Sequence, residues 1–128
     1  MRSCLITDRL SLEPICGSHA AELCELFADK ELQVFVPFEP PTLKEQQKRC
    51  ARWAIGHSLD GSEIYLNWAA RDKVSGKIVG HFQGGVKPDP EASLSYVVAR
   101  EFQGKGLAQE ALLAVLGCLR DVHGVKTV

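Results

Sequence analysis

Tyr96-Val97-Val98-Ala99-Arg100-Glu101-Phe102-Gln103-Gly104-Lys105-Gly106-Leu107-Ala108-Gln109-Glu110 reads as a strand, a short loop carrying two glycines, and the start of a helix. Such a junction gathers backbone N–H groups at a helix N-terminus, where they lack intrahelical partners and meet the positive end of the macrodipole. Gly104 and Gly106 have no Cβ to hold an anion away, so the junction predicts a phosphate cradle over Gln103, Gly104, Lys105, Gly106, Leu107 and Ala108. Lys105 either adds charge to it or points to solvent, the commoner fate of a surface lysine. Two other phosphate loops fit these residues badly. A Walker-type loop needs Ser or Thr after its Gly-Lys pair, and Gly106 follows Lys105. The dinucleotide fingerprint needs a third glycine where Gln109 stands, and too little chain follows for a second nucleotide-binding half. The alternative is that the two glycines only turn the chain into the helix.

Downstream, Leu107, Ala111, Leu112, Val115, Leu116 and Leu119 form a broad apolar stripe that Gly124 ends, so one face of this helix is expected to pack on a sheet. The β-branched run Val125-Lys126-Thr127-Val128 reads as a strand reached by a right-handed crossover, hence a parallel neighbour of 94–98. Upstream, Ile64, Leu66 and Trp68 alternate with smaller or polar residues as in a strand, and Lys73-Val74-Ser75-Gly76-Lys77 turns the chain. The returning strand over 78–86 places Ile78, Gly80 and Phe82 on one face, with a bulge or bend expected at Gly84-Gly85. The opening segment alternates Leu10 and Leu12 against Ser11 and Glu13, a single strand from residue 5 that Pro14 ends. Ser18 can cap a helix carrying Leu23, Cys24 and Phe27 to about Lys30. Thr42 and Glu45 have capping-box spacing ahead of a second helix with Cys50, Trp53, Ala54 and His57 on one face. Between these helices, 34–38 is apolar without a period and prolines 37, 40 and 41 break it, which suits either a substrate-side wall or a hydrophobic connector.

Length, 128 residues, with 45% hydrophobic and 24% charged composition, bounds the chain to one domain over 1–128. No window approaches the roughly 18 consecutive apolar residues of a membrane span, and Asp8 interrupts the N-terminus before a signal peptide's apolar region could form. The expectation is a cytoplasmic protein with no membrane partner. A net charge of -1 with interspersed signs offers no basic stripe, which argues against nucleic acid. Five scattered cysteines without a Cys-x-x-Cys pair indicate neither a disulfide framework nor a zinc site. They read as reduced thiols, packing residues rather than a catalytic nucleophile.

At Gln103, Gly106 and Ala108 the chain resembles the GNAT acetyltransferase superfamily, whose acetyl-CoA motif reads Gln or Arg, x, x, Gly, x, Gly or Ala. The opening Thr7-Asp8-Arg9-Leu10-x-Leu12-x-Pro14-Ile15, with the later Gly-x-Gly-Leu-Ala-x-Glu-Ala, is similar to the branch related to ribosomal-protein N-terminal acetyltransferases. The resemblance covers nearly the whole chain. It implies an α/β fold of GNAT type: a mixed sheet, mostly antiparallel, with helices on both faces and a parallel pair formed by 94–98 and 125–128.

The resemblance implies acetyl-CoA as cosubstrate, its pyrophosphate on the N–H groups of residues 103–108 and its pantetheine arm along the main chain of Val97 and Val98. The implied reaction is transfer of acetyl to a primary amine, a protein or peptide N-terminus or a small molecule. Ser93 stands where relatives often carry a glutamate as base, which leaves Glu91 and His81 as substitutes. The family's domain continues past residue 128 into segments that hold an asparagine contact to the cofactor and a tyrosine acid. The chain is therefore expected to be a C-terminally incomplete domain ending after its fifth strand, with 125–128 as an open edge that invites self-association. An acyl-CoA-binding module without turnover is the alternative function.

Overall fold

In a computed structural model, residues 4–27, 42–88, 91–99, 102–104 and 106–124 are described. They form strands β1 (Leu5–Ile6) and β2 (Leu10–Pro14), a 3-10 turn (Gly17–His19), helices α1 (Ala20–Phe27) and α2 (Leu43–Ile55), strands β3 (Ile64–Asp72), β4 (Ile78–Val86) and β5 (Ala92–Val98), and helix α3 (Leu107–His123). The sheet runs β1-β2-β3-β4-β5 with every pairing antiparallel. Two expectations are corrected here. The opening segment is a hairpin rather than one strand: Thr7 N–H donates to Leu10 O at 2.9 Å and Thr7 Oγ1 accepts the Leu10 N–H at 3.0 Å, so one side chain closes the turn and pairs Leu5 with Leu12. The described sheet consequently reaches five strands by residue 98 and is antiparallel throughout rather than mixed, because each of its links is a hairpin or a return connection to the adjacent strand. The parallel partner expected at 125–128 falls on residues outside the described ones.

Helices cover both faces, as the α/β reading requires. On one face α3 lays Leu107, Ala111, Val115 and Leu119, each four residues apart, over Leu12, Trp68, Phe82 and Val98. On the other, Ala20, Leu23 and Leu26 of α1 and Cys50 of α2 pack on Ile15, Ala69 and Ile78. The sequence places Ile78 and Phe82 on one face; the structure separates them, because the register steps from Ala70↔Gly80 to Arg71↔Ile78 and leaves Val79 as a bulged extra residue. A bulge reverses the alternation beyond it. The expected interruption at Gly84-Gly85 is absent: both residues pair in register, with Leu94 and Ser93.

Local signals hold where they are self-contained. Thr42 Oγ1 accepts the Glu45 N–H at 3.2 Å and Glu45 Oε1 accepts the Thr42 N–H at 3.0 Å, the expected capping box of α2. The β3–β4 turn is closed by Gly76 at φ +74° and by the Asp72 carboxylate, which accepts from the Ser75 N–H and hydroxyl at 2.9 and 2.7 Å. A longer-range tie joins three elements: the Arg71 guanidinium of β3 donates to Glu13 of β2 and Glu22 of α1, and His19 Nε2 lies 2.9 Å from the same Glu13. The Arg71 bonds hold the Glu13 carboxyl below its ordinary range despite partial burial.

Gly80 leaves no room for a side chain beside β5: a Cβ there would stand 2.9 Å from the Val97 carbonyl oxygen. Gly80→Ala is therefore expected to destabilise the chain by about 1–3 kcal/mol, since strand backbone must move. Gly85→Ala, whose methyl meets only the Ser93 hydroxyl at 3.4 Å, should stay within about 0.5 kcal/mol of the parent. Urea unfolding of the two variants checks the contrast; equal midpoints would contradict it.

Candidate functional site

The end of β5 turns sharply into α3. Phe102 N–H donates to Ala99 O at 2.9 Å, and the Gln103 side-chain amide donates back to the Val98 carbonyl at 3.0 Å. Gly104 follows at φ +77° and Gly106, the N-cap of α3, at φ +76°. These left-handed positions are where glycine is required rather than merely tolerated. The first intrahelical bond runs from Glu110 N–H to Gly106 O at 3.1 Å, and the N-cap glycine offers no side chain to cap the helix. The N–H groups of Leu107, Ala108 and Gln109 therefore precede the helix's own hydrogen bonding and emerge beside two residues without side chains. A Cβ built on Gly104 meets nothing within 4 Å, and one on Gly106 meets only an Arg9 guanidinium nitrogen at 3.5 Å. The geometry is a cradle for an anion. Lys105 lies outside the described residues.

The strand leading into the cradle is paired on one side only among the described residues. Ala99 N–H donates to Val79 O and Lys87 N–H to Glu91 O. Bonded pairs fall at every second residue of an antiparallel ladder, so Val97, opposite His81, turns its main-chain groups to β4. Tyr96 and Val98 turn theirs to the other edge, where Gln103 takes up part of the Val98 carbonyl's capacity. Of the two valines singled out in the sequence, Val98 is the one whose main chain faces outward.

A second cluster, not read from the sequence, lies against the cradle. Glu110, in the first turn of α3, accepts from the Thr7 hydroxyl, from the Arg9 N–H at 3.0 Å and from Arg9 Nε at 2.8 Å. Burial alone would raise the Glu110 carboxyl, but these donors outweigh it and hold it down at about 2. The opening motif and the glycine loop, more than a hundred positions apart in Thr7 and Glu110, thus meet through one carboxylate. The signal was available, since Thr7, Arg9 and Glu110 all stand within the two quoted motifs, but spacing along a chain does not reveal which motif residues touch.

The two candidate bases are far apart. His81 is buried, 7% exposed, with Nε2 2.9 Å from Asn67 Oδ1 and its ring centroid 4.6 Å from that of Trp53. An amide oxygen only accepts, so Nε2 carries the proton. Burial pushes the imidazole down to about 4, which makes it a neutral donor rather than a base matched to neutral pH. Glu91 is exposed at the foot of β5, six residues from the Val97 that opposes His81, roughly 20 Å along a strand. The two cannot share one reacting atom. Asn67 Nδ2, buried beside His81, has no hydrogen-bond partner among the described residues. Among the described residues no group of three or more His, Cys, Asp or Glu side chains could hold a metal ion, and no helix is long and apolar enough to cross a membrane. The apolar segment 34–38 lies outside the described residues.

Residues 9–128 match the Acetyltransferase (GNAT) domain family, and the chain belongs to it. The resemblance read at Gln103, Gly106 and Ala108 holds at the level of the family. No curated protein matches the sequence. Among solved structures, the ribosomal L7/L12 alpha-N-protein acetyltransferase RimL in complex with coenzyme A superposes with a TM-score of 0.80 at 15% identity, over 97% of this chain and 71% of that one. The ribosomal-protein-S5-alanine acetyltransferase of Vibrio fischeri gives 0.79 at 17%, over 97% and 70%. AAC(6')-Ib in complex with acetyl-CoA gives 0.69 at 18%, over 92% and 70%. At these identities the likeness is one of fold.

The depressed His81 predicts a pH signature. Unfolded, the ring titrates near about 6.5; folded, it resists protonation down to about 4. Between these values the unfolded chain binds the extra proton, so stability falls as pH drops through this window, by up to about 3 kcal/mol from this residue. Urea unfolding at several pH values between about 7 and 5 should show that His81→Gln, less stable at neutral pH, has a flatter dependence than the parent. Parallel curves would show that His81 is protonated normally in the fold.

Proposed function

We propose that the chain binds acetyl-CoA at residues 103–108 and transfers the acetyl group to a primary amine, a protein or peptide N-terminus before a small molecule. The observation that carries this reading is the glycine-capped N-terminus of α3 at the end of a strand that is paired on one side only among the described residues. Membership of the acetyltransferase family supports the reaction class, and the fold shared with RimL and the Vibrio fischeri enzyme supports the preference for a peptide N-terminus.

The chain's own groups fit the parts of that cosubstrate. The N–H groups of Leu107 and Ala108 suit a diphosphate, and the outward main-chain groups of Tyr96 and Val98 suit the amides of a pantetheine arm. The cosubstrate supplies the chemistry as an activated acetyl thioester. An amine attacking its carbonyl needs a donor for the oxygen that becomes negative, and an outward N–H of β5 is a fixed dipole of that kind. The amine must also shed a proton. His81, held neutral with its Nε2–H committed to Asn67, suits orientation of polar groups on the α1–α2 face better than proton removal. That same observation favours a second reading, an acyl-CoA-binding module without turnover.

Calorimetric titration with acetyl-CoA tests the reading, beside Gly106→Glu, which places a carboxylate and a Cβ at φ +76°. The parent should bind, and the variant should lose at least about tenfold in affinity, since charge-assisted hydrogen bonds of this kind are worth ~1.5–3 kcal/mol. Thiol release in the presence of candidate amines then separates enzyme from binding module. Failure of the parent to bind would contradict both.

A further inference from the structure

We propose that Cys16, between β2 and α1, is a nucleophilic thiol and a site of reversible modification by low-molecular-weight disulfides, with His19 as its proton acceptor and Glu13 orienting the imidazole. The assignment is independent of the acetyl-CoA reading of residues 103–108, and it departs from the expectation that the thiols are packing residues. Cys16 is exposed, whereas Cys50 is buried and Cys24 and Cys118 are partly so. Its Sγ lies 3.6 Å from His19 Nδ1 and 3.0 Å from Ser18 Oγ. The spacing of three residues across the 3-10 turn is what brings the two side chains together. His19 is buried, and its ring is fixed from both ends. Nδ1 accepts the Cys16 N–H at 3.0 Å and so carries the lone pair, which leaves Nε2–H to donate to Glu13 Oε1 at 2.9 Å. The N–H and S–H of Cys16 share that one lone pair. A nucleophile beside a base that a third group orients is the arrangement that activates weak nucleophiles.

The surroundings can hold the proton that the thiol gives up. Arg71 donates to both Glu13 oxygens at 2.8 and 3.2 Å, and it is shared with Glu22 at 3.0 and 3.1 Å. One guanidinium thus faces two carboxylates, and an imidazolium at His19 brings the cluster to charge balance. Cys16 is also the N-cap of the 3-10 turn that leads into α1, where negative charge developing on sulfur meets the positive end of the helix. The step is thiol–disulfide exchange. His19 Nδ1 takes the thiol proton as Sγ attacks one sulfur of the disulfide. The new S–S bond forms while the old one breaks, and the departing thiolate recovers the proton from Nδ1. The Cys16 sulfur is oxidised and the departing sulfur reduced; a second thiol reverses the reaction. A thiol at the surface suits a small disulfide, which needs only an in-line approach to sulfur.

Incubation of the whole reduced chain with oxidised glutathione at neutral pH, with the mixed disulfides mapped by mass over time, tests the proposal. Cys4, exposed and bonded to the Ser11 hydroxyl rather than to an imidazole, is the reference thiol within the same molecule, and buried Cys50 reports on folding. Cys16 is expected to react about tenfold or more faster than Cys4, since a positioned base contributes at least that much. In His19→Asn, whose amide oxygen can accept the Cys16 N–H but takes no proton, the rate at Cys16 should fall to that at Cys4 with Cys50 still protected. Glu13→Gln, which keeps an acceptor for Nε2–H without the charge, should lower the rate partway. Equal rates at Cys16 and Cys4 in the parent overturn the proposal, and so does an advantage of Cys16 that survives His19→Asn. A variant in which Cys50 reacts has lost its fold, and the parent and the other variant then decide.

Discussion

The seating of α3 on the sheet governs the candidate site. Leu107, Ala111, Val115 and Leu119 recur every fourth residue and are all buried against β2, β3, β4 and β5. That stripe fixes the helix axis, and the helix axis fixes where the N–H groups of its first turn point. Leu107, Val115 and Leu119 each contribute on the order of 1.5–3 kcal/mol of burial, enough to hold the helix in place without help from its exposed face. Backbone N–H groups at a helix N-terminus point where the helix axis takes them, since they have no rotamer of their own to adjust.

A stripe fixes an axis more firmly than a rotation. The rotation is set by Glu110, which projects from the first turn and is gripped by Thr7 and Arg9 of the β1–β2 turn. The splitting of the opening segment into a hairpin therefore matters for the site: as one continuous strand it would carry these residues past the helix. The turn is closed by Thr7, the same residue that donates to Glu110, so local turn chemistry and the long-range contact reinforce one another.

The opposite sheet face is more polar. Arg71 ties Glu13 to Glu22, His81 is shared between Asn67 and Trp53, and Gln46 is fully buried on α2. Buried polar groups cost free energy unless their partners are complete, and Asn67 Nδ2 and Gln46 Oε1, on the face where α1 and α2 meet the sheet, have no hydrogen-bond partner among the described residues. A neutral, buried imidazole beneath Trp53 belongs to this environment more than to acid–base exchange with solvent.

Much was legible along the chain. The capping box at Thr42 and Glu45, the turn at Asp72 to Gly76, the α3 stripe and the glycines at 104 and 106 each depend on residues within about one or two turns of one another, so pattern and propensity suffice to read them. The bulge at Val79 was not legible, because it is a mismatch between two strands and neither strand records it alone. It moved Ile78 to the other face. The same holds for the even and odd main-chain groups of β5: which of Val97 and Val98 faces outward depends on the register with β4. The sequence by itself determined the family, the helix at whose N-terminus the candidate site lies and the glycines that precede it, since these rest on local motifs and conformational requirements. Only the tertiary structure decided that Arg9 and Thr7 reach Glu110 and that His81 is buried and neutral, because burial and contact between residues far apart in the chain exist only once the sheet and its helices have packed.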